Sequence, residues 1–333
     1  MSQGLYSLDG AFRSDTEIKE SLLQQELNQE PQDPQYCTPL PANRDFTYWN
    51  NRFARRTQEH QEIDEAVKYA LIALPNHPCL INFGGDNHVG NYSVQHERIR
   101  KECELIKATP FSYFANMGDI VDHFSFTPAQ TYDEIEQIPE QVEWARSLFR
   151  FFNDGVNPNK MLFSVVGNHD DKWAKKTGLS LYHNFSREYH AYLFRGPSRV
   201  DLKVGEITYH GAISHQYQGF SGYNPNHPQT RLLRDNAMGL TTDFVVSGHT
   251  HRKAVQQQSY GDGINGNRVV VMNIGCYKRT DSYGEDKGFT PATNEQMGGG
   301  ALILLPEHKY IIPFDDILEA HEIFRKHFLG LNS

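Results

Sequence analysis

The sequence has few cysteines, no long apolar run and no excess of positive charge. Its four cysteines, Cys37, Cys79, Cys103 and Cys276, form no C-x-x-C pair. This spacing argues against a cysteine–zinc framework and indicates reduced thiols in a cytoplasmic protein. No stretch approaches the roughly 20 apolar residues of a membrane span. The opening residues, MSQGLYSLDGAFRSDTEIKE, lack the apolar core of a signal peptide, so we expect no membrane association.

The charge balance argues against a protein that coats nucleic acid. The formal net charge is -9 over 333 residues, whereas proteins bound along a duplex carry a basic face. Short basic clusters such as NRFARR and DDKWAKK do not change this balance. Acidic side chains are what a divalent-cation site would contribute, and the 16 histidines are further candidate ligands.

The chain divides into a polar arm and one larger domain. Residues 1–42, which include QQELNQEPQDPQ, predict a poorly ordered arm, or a peripheral helix followed by a linker. Residues 43–333 predict a single domain that begins with a helix, because apolar residues recur at helical spacing over 45–74 until Pro75. Strands and helices then alternate, whereas the later strands have little helix between them. We therefore expect an α/β first part and a mostly antiparallel β second part.

Five apolar, strand-like runs end in side chains that can bind a metal ion. These are Asp86 and His88 after CLINFGG, Asp119 and Asp122 after FSYFANMG, Asn168, His169 and Asp170 after KMLFSVVG, His215 after EITYHGAIS, and His249 and His251 after DFVVSG. Ligands bind at the carboxyl ends of strands in open α/β sheets, so these groups are expected to meet at one rim. In an extended segment, D-x-H and H-x-H spacing directs both side chains to the same side. Oxygen and imidazole donors without thiolate favour Mn, Fe, Zn or Ni.

The ordered set of motifs resembles the calcineurin-like metallophosphoesterases. The resemblance rests on D-x-H at Asp86, G-D-x-x-D at Gly118, G-N-H-D at Gly167, a lone histidine at His215 and G-H-x-H at Gly248. Each motif alone is weak, but the series in this order is specific. It implies an α/β fold, namely a four-layer α/β/β/α sandwich of two mixed β-sheets flanked by helices, with metal ions at one rim.

The resemblance also implies a role for each site residue. Asp86, His88 and His251 are expected to hold one divalent metal ion, Asn168, His215 and His249 a second, and Asp119 both. A hydroxide between the two metals is the expected nucleophile, attacking phosphorus in line, because paired cations lower the pKa of bound water. His169 is expected to protonate the leaving oxygen or to stabilise the phosphoryl group. Asp122 is expected to orient His169, or Asp170 to do part of that work.

Two positions allow a second interpretation. His210 lies inside ITYHGAIS and competes with His215 as a ligand, and we favour His215 because it follows the strand. CYKRTD, residues 276–281, could line the substrate pocket or form an ordinary basic turn.

Departures from the family's branches bear on the substrate. The protein phosphatase branch has an Arg after G-D-x-V-D, where this sequence has His123, and it lacks the G-H-x-H element. We therefore expect a Mn-dependent phosphodiesterase acting on a nucleotide, a cyclic nucleotide or a nucleic-acid end. A DNA or RNA nuclease and a non-catalytic scaffold are the alternatives, and protein partners stay open. SHQYQGFSGYNPNHP resembles a loop of bacterial and phage members, so the expected location is the cytoplasm, or that of the host if the chain is phage-encoded.

Overall fold

The computed structural model describes residues 45–66, 68–122, 133, 135, 137–156, 158–171, 181–219, 221–235, 242–260, 267–280, 282–286, 288 and 291–331. The predicted arm at 1–42 lies outside the described residues, and its boundary stays a prediction. Contacts divide the chain into two units, Met1–Ala66 and Val67–Ser333. In the first unit, helix α1 (Phe46–Ala66) carries stacked rings of Trp49 and Phe53, with centroids 5.9 Å apart.

The second unit alternates strands with helices. Its strands are β1 (Tyr69–Leu74), β2 (Cys79–Gly84), β3 (Ser112–Asn116), β4 (Met161–Val166), β5 (Tyr192–Arg195), β6 (Ser198–Val204), β7 (Ile207–Ser214), β8 (Phe244–Ser247), β9 (Ala254–Tyr260), β10 (Asn267–Asn273), β11 (Gly300–Leu304) and β12 (Ile311–Phe314). Its helices are α2 (His96–Ala108), α3 (Ile138–Phe152), α4 (Leu181–Glu188), α5 (His227–Asp235), α6 (Ser282–Asp286) and α7 (Ile317–Phe328), with a 3₁₀ turn at Asn294–Gln296.

The helix predicted over 45–74 is wrong in its last part. Helix α1 ends at Ala66, and the segment YALIAL forms strand β1. Its burial alternates, with Ala70, Ile72 and Leu74 inside, and it pairs in parallel with β6. A run this short satisfies both helical and strand periods, so pairing with a distant strand decides its structure. Pro75, which follows the strand, ends β1 rather than the helix.

The strands form two mixed sheets. In the described part of the chain, the first sheet has the order β12-β11-β2-β3-β4-β5 and the second the order β1-β6-β7-β8-β10-β9. Strands β2 to β5 are parallel, and β11 runs antiparallel to β2. The late strands are mostly antiparallel as expected, since β6 pairs antiparallel with β7, β9 with β10 and β11 with β12, whereas β8 is parallel to both β7 and β10.

Apolar side chains from both sheets build one central core. Ile81, Phe83 and Phe163 of the first sheet share this core with Val200 and Phe244 of the second, and the rings of Phe83 and Phe244 lie 6.2 Å apart. Strands β2, β4, β8 and β11 are nearly continuous apolar runs, as expected where both faces of a sheet are covered.

Helices cover the outer faces of both sheets. Phe149 of α3 and Phe324 of α7 pack on the first sheet, and Leu232 and Leu233 of α5 pack on the second. This is the predicted four-layer α/β/β/α sandwich, which is confirmed. No helix in the described ranges is long and apolar enough to cross a membrane.

Candidate metal centre

The loops that follow five strands bring the predicted site residues together. Strands β2, β3 and β4 of one sheet and β7 and β8 of the other end at the same rim. Hydrogen bonds join the two sheets there, since the His249 N–H donates to Asp86 Oδ2 at 2.9 Å and the His215 Nδ1–H to the Met117 carbonyl at 2.7 Å. All candidate residues at this rim are buried except Asn168 and His251, which are partly buried, and His249, which is exposed.

The backbone of the candidate ligands is unusual. Left-handed φ angles occur at Asp86 (49°), His88 (49°), Asp119 (51°), His249 (71°) and His251 (55°). The D-x-H and H-x-H segments therefore have left-handed residues and are not extended as expected. Such conformations cost on the order of 1–3 kcal/mol each and concentrate at functional sites. Their grouping here indicates that the surrounding fold holds these residues in a backbone conformation that non-glycine residues rarely adopt.

Glycines next to the ligands permit the close approach of the loops. A Cβ on Gly167 would lie 2.0 Å from Asp119 Oδ1, and one on Gly248 would lie 2.3 Å from Asp86 Oδ2. No side chain fits at these distances, so the G-N-H-D and G-H-x-H motifs need glycine for steric reasons.

Asp86, His88 and His251 form a first group of acceptor atoms. The Nδ1–H of His88 donates to Asp122 Oδ1 at 2.8 Å, which leaves the lone pair on Nε2. That Nε2 lies 3.0 Å from His251 Nε2, and Asp86 Oδ1 lies 3.2 Å from the same His251 atom. Burial opposes charge on His251, but Cys276 and Asp86 hold its pKa well above the ordinary value. The group therefore attracts positive charge.

Asp119, His215 and His249 form a second group, which Asn168 joins. The Nδ1–H of His215 donates to the Met117 carbonyl at 2.7 Å. Its Nε2 lies 3.1 Å from Asp119 Oδ2 and 3.1 Å from Asn168 Oδ1. Burial alone would lower the pKa of His215, but the Asp119 carboxylate raises it to about 10.

Both groups fit a divalent cation. Lone pairs that face one another in a buried site are unfavourable unless a proton or a metal ion lies between them. Each group has its potential donor atoms within 4.8 Å of one another. Mixed imidazole and oxygen donors suit Mn, Fe, Zn or Ni.

His169 lies beside both groups and is held by main-chain atoms. Its Nδ1–H donates to the carbonyl of Asp122, and its ring meets that of His88 edge to face at a centroid distance of 4.6 Å. Its Nε2 lies 3.9 Å from Asp119 Oδ2. The Asp122 carboxylate bonds to His88, so Asp122 contacts His169 through its carbonyl and not through the carboxylate bond we expected.

Asp170 holds two loops together. Its carboxylate accepts from the N–H groups of Asp119 (2.8 Å), Gly167 (3.0 Å) and Ile120 (3.1 Å). Burial, followed by repulsion from Asp119, raises the pKa of Asp170 to about 7. These bonds fix the main chain around Asp119. Asp170 therefore has a different role from the one considered from the sequence, which was to orient His169.

His210 belongs to a different cluster. Its Nδ1 lies 2.9 Å from Asp201 Oδ1 and 2.8 Å from the Arg199 guanidinium. It projects from the interior of β7, whereas His215 follows the end of that strand. His215, at the end of the strand, therefore lies in the centre, and His210, inside the strand, does not.

Two residues near the centre had no assigned role in the sequence analysis. Asn91 donates to Asp122 Oδ2 at 2.9 Å, and Lys278 donates to Asp122 Oδ1 at 3.2 Å. Lys278 belongs to CYKRTD, for which the sequence allowed either a pocket lining or a basic turn. The contact of Lys278 with Asp122 places this segment beside the centre. Asn91 gave no signal, because a polar residue in a loop is common.

Comparison with known proteins places the chain in a family. The model of the calcineurin-like phosphoesterases matches residues 81–253, just over half of the chain. The chain belongs to this family of metal-dependent phosphoester hydrolases, as the motifs predicted. A comparison with curated proteins found no match.

Solved structures give more distant likenesses. Vacuolar protein sorting 29 from Cryptosporidium parvum is 16% identical, with 71% of this chain and 97% of that chain covered and a TM-score of 0.35. A metallophosphoesterase from Sphaerobacter thermophilus is 15% identical, with 77% and 95% covered and a TM-score of 0.32. A putative 5'-nucleotidase from Staphylococcus aureus is 14% identical, with 76% and 58% covered and a TM-score of 0.38. At these values the likenesses carry no argument about substrate.

Proposed function

We propose that the chain is a phosphodiesterase with a binuclear metal centre. Asp86, His88 and His251 hold one cation in this proposal. Asn168, His215 and His249 hold the other, and Asp119 contacts both. The main support for this proposal is that two groups of potential metal ligands lie side by side. The His249 N–H of the second group donates to Asp86 of the first at 2.9 Å. When bound, two divalent ions, with Mn as the first choice, supply Lewis acidity and lower the pKa of a water molecule.

His169 acts on the leaving group in this proposal. The bond from its Nδ1–H to the Asp122 carbonyl fixes the ring and the tautomer. When the ring is protonated, Nε2–H is the atom that can donate to a phosphoryl or leaving oxygen. Asp122 and Asp170 are positioning residues, the first for His88 and His169 and the second for the Asp119 loop.

The chain's own residues favour a compact diester over the other substrates. His123 stands where the protein phosphatase branch has the Arg that grips phosphate, which argues against phosphoproteins. The net charge of -9 argues against an extended duplex and favours a nucleotide, a cyclic nucleotide or a nucleic-acid end. A scaffold is disfavoured, because the complete donor set and His169 converge at one rim. Cys79, Cys103 and Cys276 are free thiols, which supports a cytoplasmic location in this proposal.

Paired model esters test the proposal. Metal-stripped protein is reloaded with Mn²⁺ and assayed with bis-p-nitrophenyl phosphate and p-nitrophenyl phosphate. The wild type is expected to cleave the diester faster, and Asp119→Asn is expected to be inactive. His210→Asn, a histidine outside the centre, is the matched control. Faster cleavage of the monoester would contradict the diester preference, and an active Asp119→Asn would contradict the assigned centre.

A further inference from the structure

Lys278 is a buried lysine beside the metal centre. Its side chain is only 7% exposed, which is rare for lysine unless it is paired. Its Nζ lies 3.2 Å from Asp122 Oδ1. The residue lies far along the chain from every motif of the centre, and neither the family resemblance nor the proposed mechanism gives it a role.

The main chain fixes where Lys278 lies. Residues Val94 and Lys278 form an antiparallel bridge. The Tyr277 N–H donates to the Asp86 carbonyl at 3.1 Å, and the Gln95 N–H donates to the Tyr277 carbonyl at 2.8 Å. The segment with Lys278 is thus bonded directly to the loop that carries Asp86 and His88. The position of its side chain is therefore built into the fold of the centre.

The Asp122 carboxylate is where Lys278 meets a candidate ligand. Oδ1 accepts from His88 Nδ1 at 2.8 Å and from Lys278 Nζ at 3.2 Å. Oδ2 accepts from Asn91 Nδ2 at 2.9 Å. Asp122 itself is 1% exposed, so water does not stabilise its charge, and a cationic partner must do so.

We propose that Lys278 is a positioning residue for the first cation site and acts through Asp122 on His88. Lys278 and Asn91 together hold the carboxylate in the one orientation in which Oδ1 receives the His88 Nδ1–H. That bond fixes the ring and keeps the lone pair on Nε2, which faces His251 and Asp86. Carboxylates that orient ligand histidines affect metal affinity by roughly 10–100-fold, and Lys278 extends this arrangement by one residue. The inference rests on the proposed function, because it requires His88 to be a ligand.

The direct test measures Mn²⁺ binding rather than catalysis. Metal-stripped protein is titrated with Mn²⁺, and free Mn²⁺ is followed by electron paramagnetic resonance. Lys278→Met is expected to weaken one of two Mn²⁺ sites by roughly 10–100-fold. Lys278→Arg is expected to restore part of the affinity. The matched control is Lys309→Met, because Lys309 pairs with the buried Asp243 at 2.8 Å in another part of the unit.

A merely structural lysine gives a different result. It would lower the melting temperature of the metal-free protein and leave Mn²⁺ affinity unchanged, and this outcome overturns the proposal. If Lys278→Met does not fold, Lys278→Ala takes its place, because it also removes the donor to Asp122. Loss of Mn²⁺ affinity in Lys278→Ala supports the proposal, and wild-type affinity overturns it.

A double-mutant cycle tests whether Lys278 acts through Asp122. Mn²⁺ affinity is measured for Lys278→Met, Asp122→Asn and the double variant. The lysine substitution is expected to add nothing once Asp122 is neutral, whereas independent, additive losses overturn the proposed route. Wild-type protein that binds no Mn²⁺ would defeat the proposed function and this inference together. Two wild-type sites with no effect of Lys278→Met would defeat the inference alone.

Discussion

At the scale of single residues, His215 and His210 provide the sharpest contrast. Both come from the same strand region, but only His215 faces Asp119, at 3.1 Å, while His210 pairs with Asp201 at 2.9 Å. His215→Asn is expected to lower metal content and to reduce kcat/KM for the diester by at least about 10–100-fold, the range seen when a ligand's supporting partner is lost. His210→Asn is expected to keep the metal content and the kcat/KM of the wild type. Metal analysis by mass spectrometry and the diester assay check this, and metal loss in His210→Asn would reverse the assignment.

A second residue-scale prediction concerns Gly248. Its substitution by Ala would place a Cβ 2.3 Å from Asp86 Oδ2, so the carboxylate or the loop must move. Gly248→Ala is therefore expected to weaken Mn²⁺ binding at the first site, measured by the same titration. Gly222→Ala is the matched control, because a Cβ there meets nothing within 4 Å. Equal Mn²⁺ affinity in the two variants would show that the Asp86 loop accommodates the added methyl group without disturbing the site.

The sequence predicted which side chains meet, but not every partner within the centre. Strand-end position was enough to name Asp86, Asp119 and His215, because parallel strands end at one rim. Spacing could not tell which imidazole the Asp122 carboxylate reaches, since that depends on the turn angles of the loop. Lys278 lies in CYKRTD, and the sequence left that segment as either a pocket lining or a basic turn because it belongs to no motif.

At the scale of elements, short apolar runs marked most strands correctly, and β1 shows where that reasoning ends. YALIAL fits the end of a helix as well as a strand, and only its pairing with β6 separates the two. The same limit applies to β8, which is parallel to both neighbours although most of the late strands pair antiparallel. Whether β8 lies parallel or antiparallel to its neighbours depends on which strands lie beside it, and the apolar pattern does not contain that information.

An element-scale prediction concerns helix α7 and pH. His321 of α7 is fully buried and bonds to Asn82 and Thr109 at 3.1 Å each, so it ties the helix to the first sheet and to the end of α2. Burial, followed by Arg325 and Lys160, lowers the pKa of His321 from 6.5 to about 3. Between about pH 6.5 and pH 3, His321 is therefore protonated in the unfolded chain and neutral in the folded chain. This contribution to stability is complete above about pH 6.5 and is lost as the pH falls toward 3, by up to about 1.4 kcal/mol per pH unit.

Urea unfolding at several pH values between 7.5 and 4.5 measures this effect. His321→Gln is expected to be less stable at neutral pH, because it loses hydrogen bonds, but to depend less steeply on pH than the wild type. His327→Gln, at an exposed position of the same helix, controls for the substitution itself. Parallel pH profiles for the wild type and His321→Gln would rule out His321 as the source.

At the scale of the whole molecule, the centre joins loops from both sheets, so its occupancy should affect the stability of the entire second unit. A cation that binds the folded chain and not the unfolded chain adds about 2.7 kcal/mol at 100 times its Kd. For a unit of this size that corresponds to a rise in melting temperature of roughly 4–5 °C. Thermal scans of metal-stripped protein with and without Mn²⁺ measure the rise.

The same scans on variants connect the rise to the centre. Asp119→Asn is expected to show a smaller rise, because it alters a carboxylate that the second group needs, whereas His210→Asn is expected to show the full rise. The left-handed backbone at Asp86 and His88 gives a reason for this effect, because it brings buried acceptor atoms close together and a cation between them would offset their repulsion. Equal melting temperatures for stripped and loaded wild-type protein would mean that the fold holds these loops without a cation. The convergence of acceptors would then need another explanation.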